Sequence, residues 1–446
     1  MATAKWIGAG ANVRQKDRIT CTGTGDWVST DAITFTIASV SCTITLGASS
    51  LFTDAQVATT IYQAWEGITL TDTACTLTGF TIADGGMKAI PQFSEFTATN
   101  DTAGRVDLLA NGTGTIAGKP IVLTVTEAVT GDEAATESTF TTATSQYHAN
   151  QADNWDANAV PGDGDTVVFD SGNVHCRYAL DLGSILVAQF TKTKTYSGEI
   201  GVSRYNKDNT AKPYFEYRTP RYLTADGFTN ADLETGEGPG SGRIYLDGGT
   251  VASTYNIFGK GTRVETGIPC VLIIGANNAN VVRNLAGDVG VAFYPGEAAT
   301  LATLVTGDGP NSQASTVCGA GVTFNSATVT INGGTLDTSS ALATGVANGG
   351  VWQHRSGTIT SLTVNKGARF QPMGAATVTT LDLNGGEFDC TKGTASFAIT
   401  NAVTMSSGSR FIDPQGRTGN ISVQLRDCKL ADVFIDTQPG KTLTFS

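Results

Sequence analysis

The stretch 379–390, TTLDLNGGEFDC, sets two short alternating runs on either side of an Asn-Gly-Gly turn. The same cadence returns as ATVTINGGTLDT at 327–338, LTVNKGARFQP at 362–372 and VTMSSGSRFIDP at 403–414. Alternation with a period of two belongs to a β-strand with one buried face, and Val329, Ile331 and Leu336, Leu381, Leu383 and Phe388, or Val403, Met405 and Phe411 fill the apolar positions. Asn or Ser stands two residues before a Gly at each corner, and Asn and Gly tolerate the positive φ of a tight turn. The marker glycines Gly334, Gly367, Gly386 and Gly408 are 33, 19 and 22 residues apart. A spacing near 20 residues corresponds to one coil of a β-solenoid, and the long gap has room for an additional partial coil around WQHRSGTITS. A flat sandwich alternates as well, but it needs no regular corner. The repeat therefore favours the solenoid.

Glu387 and Asp389 point outward together if Leu381, Leu383, Phe388 and Cys390 point inward. Paired carboxylates on such a face serve polysaccharide-cleaving enzymes, one as acid and the other as base or nucleophile. The matching positions in sister repeats, read as Thr335 and Asp337 or as Ser409 and Arg410, vary as a solvated surface does. A catalytic carboxylate also needs a cleft and a partner. The chain is read as a non-enzyme with no catalytic residue and no cofactor.

Composition agrees with a β-rich fold. The 446 residues include 53 glycines, only 15% are charged, and runs of strong helix formers are nearly absent. A net charge of −12 argues against nucleic acid or an anionic membrane as partner, since phosphate neutralisation needs clustered Lys and Arg. No run reaches transmembrane length. The opening MATAKWIGAGANVRQ lacks a signal-peptide layout, so export by the common route is not expected. The eight cysteines form no CxxC pair, which leaves buried, reduced thiols as the expectation, with a Cys21–Cys42 or Cys42–Cys75 bridge still open.

Residues 1–147 read as a β-rich module with one helix. ITFTIASVSCTITL (33–46) is one strand or a hairpin, and GRVDLLAN (104–111) and KPIVLTVTEA (119–128) are further strands around a Gly-Thr-Gly turn region. The helix spans about 52–67. Thr53 and Gln56 make a capping box, Val57, Ala58, Ile61, Ala64 and Trp65 form one apolar stripe, and Gly67 ends it. These strands, the DAQVATTIYQAW helix and DTAGRVDLLANGTGTIAGKPIVLTVTE resemble small β-modules of tailed-bacteriophage virion proteins. Next comes a linker, ESTFTTATSQYHANQADNWDANAVPGDGDTVVFD (137–170), whose NWDANAVPGDGDTVVF resembles the opening of β-solenoid proteins from phages and bacterial surfaces. Trp155 is expected to cover the open end of the stack.

Residues 148–446 read as the β-solenoid-like domain, with an inserted arm at about 203–242. The arm is too long for a structureless connector. It concentrates Arg204, Tyr205, Lys207, Lys212, Tyr214, Tyr217, Arg218, Arg221 and Tyr222, residue types enriched at interface centres, and these are the candidate interface residues. Asp163 and Asp165 are weak calcium candidates, because the twelve-residue loop and its terminal Glu are missing. His148, His175 and His354 are too scattered for zinc, and adjacent His175 and Cys176 face opposite sides of a strand. No metal is assigned.

The resemblance implies a virion structural protein, decorating or cementing the capsid exterior as a homotrimer beside the major capsid protein. It is expected in the virion, with no nucleic-acid or membrane partner. A tail-associated receptor-binding protein and a capsule depolymerase are the alternatives. A bacterial adhesin conflicts with the missing signal peptide.

Overall fold

The computed structural model describes residues 2–24, 27–47, 51–101, 103–112, 118–209, 212–235, 243–259, 261 and 266–445. The chain is mainly β and divides into two compact units, one of residues 8–154 and 202–221, the other of residues 1–7, 155–201 and 222–446. Among the described residues there is one α-helix, and no helix is long and apolar enough to cross a membrane.

The smaller unit holds two four-stranded antiparallel sheets. One runs Phe96–Asp101, Arg105–Ala110, Lys16–Thr22, Ala134–Thr141 across its width. The other runs Thr76–Thr78, Val40–Thr45, Ala32–Ile37, Leu123–Ala128. The 33–46 stretch is thus a hairpin, turning at Ala38. The helix covers Asp54–Glu66 with the anticipated capping box, and Gly67 closes it at φ 69°. A Cβ there would lie 2.4 Å from the backbone of Gly85, so only glycine fits. The anticipated stripe is buried, and Trp65 packs edge-on against Phe35 and Phe93 at 6.1 and 5.4 Å.

One strand of this unit is faint in the sequence. Ala134–Thr141 lies largely within the stretch read as linker, yet it pairs antiparallel with Lys16–Thr22 along seven residues. It is an edge strand, mostly exposed, and so carries little apolar alternation. Residues 113–117, within the turn region read after strand 104–111, lie outside the described residues.

In the larger unit, the described residues place 25 strands in one hydrogen-bonded sheet, which is parallel and not closed. Its strands form two interleaved ladders, and from Ala299–Thr306 to Glu387–Asp389 each strand pairs with the next but one along the chain. One ladder includes Leu342–Ala347, Gly357–Asn365 and Ala376–Asn384. The other includes Thr335–Thr338, Gly350–His354, Ala368–Pro372, Glu387–Asp389 and Arg410–Asp413. Parallel neighbours need a long crossover. Here the crossover contains a strand of the other ladder, so no helix is required.

The TTLDLNGGEFDC stretch therefore contains two strands that belong to different ladders and meet at Asn384-Gly385-Gly386. The 33-residue gap holds a full strand pair, not a partial one. Thr335 pairs with Val351 and Val351 with Arg369, making Gly350 the missing corner glycine, at φ 71°. Its flanking sequence, Ala-Asn-Gly-Gly-Val, extends the pattern by one copy.

In-register pairing stacks like on like. Trp352, Phe370, Phe388 and Phe411 are fully buried in one column, with ring centroids 5.8, 5.9 and 4.9 Å apart; the last two pairs are parallel-stacked. Burying each phenyl contributes about 2–3 kcal/mol. Beside the column, Asn348 donates to Asn332 (2.9 Å), Asn365 to Asn348 (2.7 Å) and Asn384 to Asn365 (3.0 Å). This amide ladder explains why the corner residue is Asn: one side chain serves as donor to one neighbour and acceptor from the other.

At the first strands, Thr3–Lys5 pairs with Thr166–Phe169. Trp155 is buried there as anticipated, 5.1 Å from Trp6 and 5.9 Å from Phe169. The companion Trp6 comes from the chain's opening residues, a strand that the sequence reading places in the small module. The arm also divides. Leu223–Thr224, Gly227–Phe228 and Ala231–Leu233 are strands of the larger unit, whereas 202–221 belong to the smaller. Residues 210–211 and 236–242 of the arm lie outside the described residues.

Candidate functional site

The most polar constellation of the smaller unit is built around Glu95. This carboxylate is buried at the end of a 3-10 turn, Phe93–Glu95. Segment 202–221 folds back as a short hairpin, Tyr205–Asn206 against Tyr214–Phe215, whose residues converge on it. Tyr217 donates its hydroxyl to Glu95 at 2.7 Å and Asn206 its amide at 3.2 Å, while Tyr214 and Arg218 also bond to it. Arg218 further reaches Glu216 and the carbonyl of Pro120, both at 2.7 Å. Burial and the neighbouring carboxylate push the Tyr214 hydroxyl well above its ordinary pKa; burial is the first cause at Tyr217 too, against the opposing pull of Arg218. Both remain protonated donors.

This placement sorts the nine interface candidates. Tyr214, Tyr217 and Arg218 form an intrachain interface, not an exposed one; a buried carboxylate needs several donors, and these residues supply them. Tyr222 is buried in the larger unit, its hydroxyl 2.6 Å from Glu297. Lys212 donates to the carbonyl of Lys88 at 2.7 Å, and the half-buried Tyr205 ring meets Phe215 edge-on. Arg204 and Arg221 are half-buried, and Lys207 is exposed. Glu95, the group that gathers the cluster, was not singled out in the sequence: one acidic residue in QFSEFTATN carries no signal of its distant partners.

In the larger unit, Glu387 and Asp389 lie within a cross-strand ionic ladder. Arg369 approaches Glu387 at 2.6 Å from one side and Arg410 at 3.3 Å from the other. Asp389 accepts from the Gln371 amide and from the backbone and hydroxyl of Thr391. Burial alone would raise its pKa, but these donors and Arg369 hold it below the usual carboxylate value. A general acid needs the reverse. The register also corrects the sister positions: Glu387 pairs with Arg410 and Asp389 with Ile412, while Ser409 is fully buried. Two open surface depressions, one at Ala286 and 308–313, the other at 357–358, 375–377 and 396–398, contain neither carboxylate.

Asp163 and Asp165 act as turn residues. Asp165 accepts from the N–H groups of Ala2 and Gly162, which lowers its pKa, and Asp163 accepts from Leu186. Among the described residues no group of three metal-binding side chains assembles. His175 Nδ1 accepts from the Glu199 backbone, and Cys176 beside it is fully buried, its thiol pushed up by desolvation. All eight cysteines are free, which removes the two candidate bridges. Burial raises the Cys21 thiol to about 12 and Cys42 to about 11, so neither is a ready nucleophile. In comparisons with known proteins, no family model, no curated protein and no solved structure matches this chain.

Proposed function

We propose that the parallel ladders of the larger unit form a β-solenoid and that the chain is a structural protein of a tailed-phage virion, decorating or cementing the capsid exterior as a homotrimer beside the major capsid protein. The observation that carries this reading is the Trp352–Phe370–Phe388–Phe411 column with its amide and ionic ladders, in which outward polar groups bond to the next strand and stiffen the stack. Such a stack suits scaffolding: each repeat contacts its neighbours, and stability accumulates along the axis. The sequence resemblance of the first third supplies the phage assignment. Within the Glu387–Asp389 pair, Asp389 is held below its ordinary pKa, which does not favour glycan cleavage there.

The test is immunogold labelling of phage particles assembled in cells that express this chain, with antibody to the purified protein. Label over the head is expected. Label over the tail supports the receptor-binding alternative, and unlabelled particles overturn the virion assignment.

A further inference from the structure

Three Asn-Gly pairs stand in the amide row at the corners of the stack: Asn332-Gly333, Asn348-Gly349 and Asn384-Gly385. At such a pair the glycine nitrogen can attack the side-chain amide carbon, because glycine has no Cβ to obstruct the approach and rotates freely. Each pair is followed by a second glycine, so local sequence gives the three a similar intrinsic reactivity. The fold sets them apart.

Asn348 has what the attack needs. Its side chain is exposed, and the nucleophile, the Gly349 N–H, has no hydrogen-bond acceptor among the described residues. Asn348 Oδ1, where negative charge collects during the attack, accepts the Asn365 amide at 2.7 Å. Asn384 is exposed as well, but Gly385 N–H donates to the Ser409 hydroxyl at 3.0 Å, and among the described residues nothing donates to Asn384 Oδ1. Asn332 accepts from Asn348, yet it is half-buried, and a Cβ on Gly333 would lie 1.8 Å from the Gly309 carbonyl oxygen. That corner is closely covered.

We propose that Asn348 is a deamidation site, activated by the Asn365 amide of the next repeat. Gly349 N bonds to Asn348 Cγ and gives its proton to solvent. The Cγ–Nδ2 bond breaks, and the nitrogen takes a proton from water and leaves as ammonia. Water then opens the succinimide at either carbonyl, giving aspartate or isoaspartate. One water is consumed and one ammonia released. The carboxylate no longer donates to Asn332, and isoaspartate lengthens the main chain at the corner between Leu342–Ala347 and Gly350–His354. The change accumulates with time and marks the age of the stack.

Peptide mapping by mass spectrometry tests this on the full-length protein held in mildly alkaline buffer, reading the replacement of amide nitrogen by oxygen at each pair. Each native rate is divided by the rate of the same pair in denaturant. Asn348 should show the largest ratio and Asn384 the smallest; an Asn348 ratio no larger than the other two overturns the proposal. Asn365→Ala removes the donor and should slow Asn348 about fivefold, the scale of one hydrogen bond's net contribution. An unchanged or faster rate in that variant would show that loosening of the row governs the reaction, and overturns the activation by Asn365.

Discussion

Arg369 Nε lies 2.6 Å from Glu387 Oε1, across two neighbouring parallel strands of one ladder, and Arg410 flanks the same carboxylate from the next. The arginines are about half exposed, at 45% and 51%, so solvent screens the pairs. Glu387→Gln should cost no more than about 1 kcal/mol and leave the secondary structure unchanged. The purified protein should release no sugar from capsule polysaccharide before or after the change. Glycan cleavage that disappears in Glu387→Gln would establish the depolymerase instead.

The amide ladder makes a sharper demand. Asn365 is both donor to Asn348 and acceptor from Asn384, so Asn365→Ala removes two hydrogen bonds while leaving the apolar columns intact. The expected loss is about 1–2 kcal/mol, read in denaturant unfolding. Because the row is partly open to water, Asn365→Asp should cost less at neutral pH than its charge alone implies, yet more than Glu387→Gln. A ladder that contributes nothing would leave both variants at wild-type stability.

In the smaller unit, Arg218→Ala leaves the buried Glu95 carboxylate without its cationic partner. Removing one member of a buried pair costs about 3–5 kcal/mol. Much of that is expected to appear as detachment of the 202–221 hairpin, because Tyr214, Tyr217 and Asn206 converge on the same carboxylate. Limited proteolysis should cut within 203–217 in the variant and spare the wild type. Equal resistance in both would show that the hairpin is held by its apolar contacts.

The fold was legible wherever short-range rules act. Strict alternation, corner glycines and the Thr53–Gln56 capping box are encoded within a few residues, and those features are present. The register between repeats is less local: the Ser409/Arg410 assignment slipped by one position opposite Glu387 and by two opposite Asp389, because Ser406-Ser407-Gly408-Ser409 offers several equivalent corners. Contacts between distant segments were not legible at all. The basic and aromatic arm looks like an exterior surface until Glu95, more than a hundred residues earlier, is placed beneath it. Trp6 is likewise unremarkable until Thr3–Lys5 joins the strand at 166–169.

His354 makes the stack sensitive to acid. It is fully buried next to the aromatic column, its Nδ1 2.8 Å from the Thr338 hydroxyl, which also accepts from the Trp352 indole at 2.9 Å. Burial lowers its pKa to about 4 from the ordinary 6.5, against the weaker opposing pull of the Gly357 carbonyl. The folded form therefore binds this proton less readily than the unfolded chain. Stability from the neutral ring is fully present above pH 6.5 and is lost as pH falls from there toward 4. The linkage amounts to about 3 kcal/mol over that window. Hydrogen exchange over 350–372 should accelerate between pH 6.5 and 4, after correction for intrinsic rates, by more in the wild type than in His354→Gln. That comparison separates the imidazole from the carboxylates that also titrate in this range. Matching acceleration in the two proteins would mean that His354 is not the acid-sensitive group.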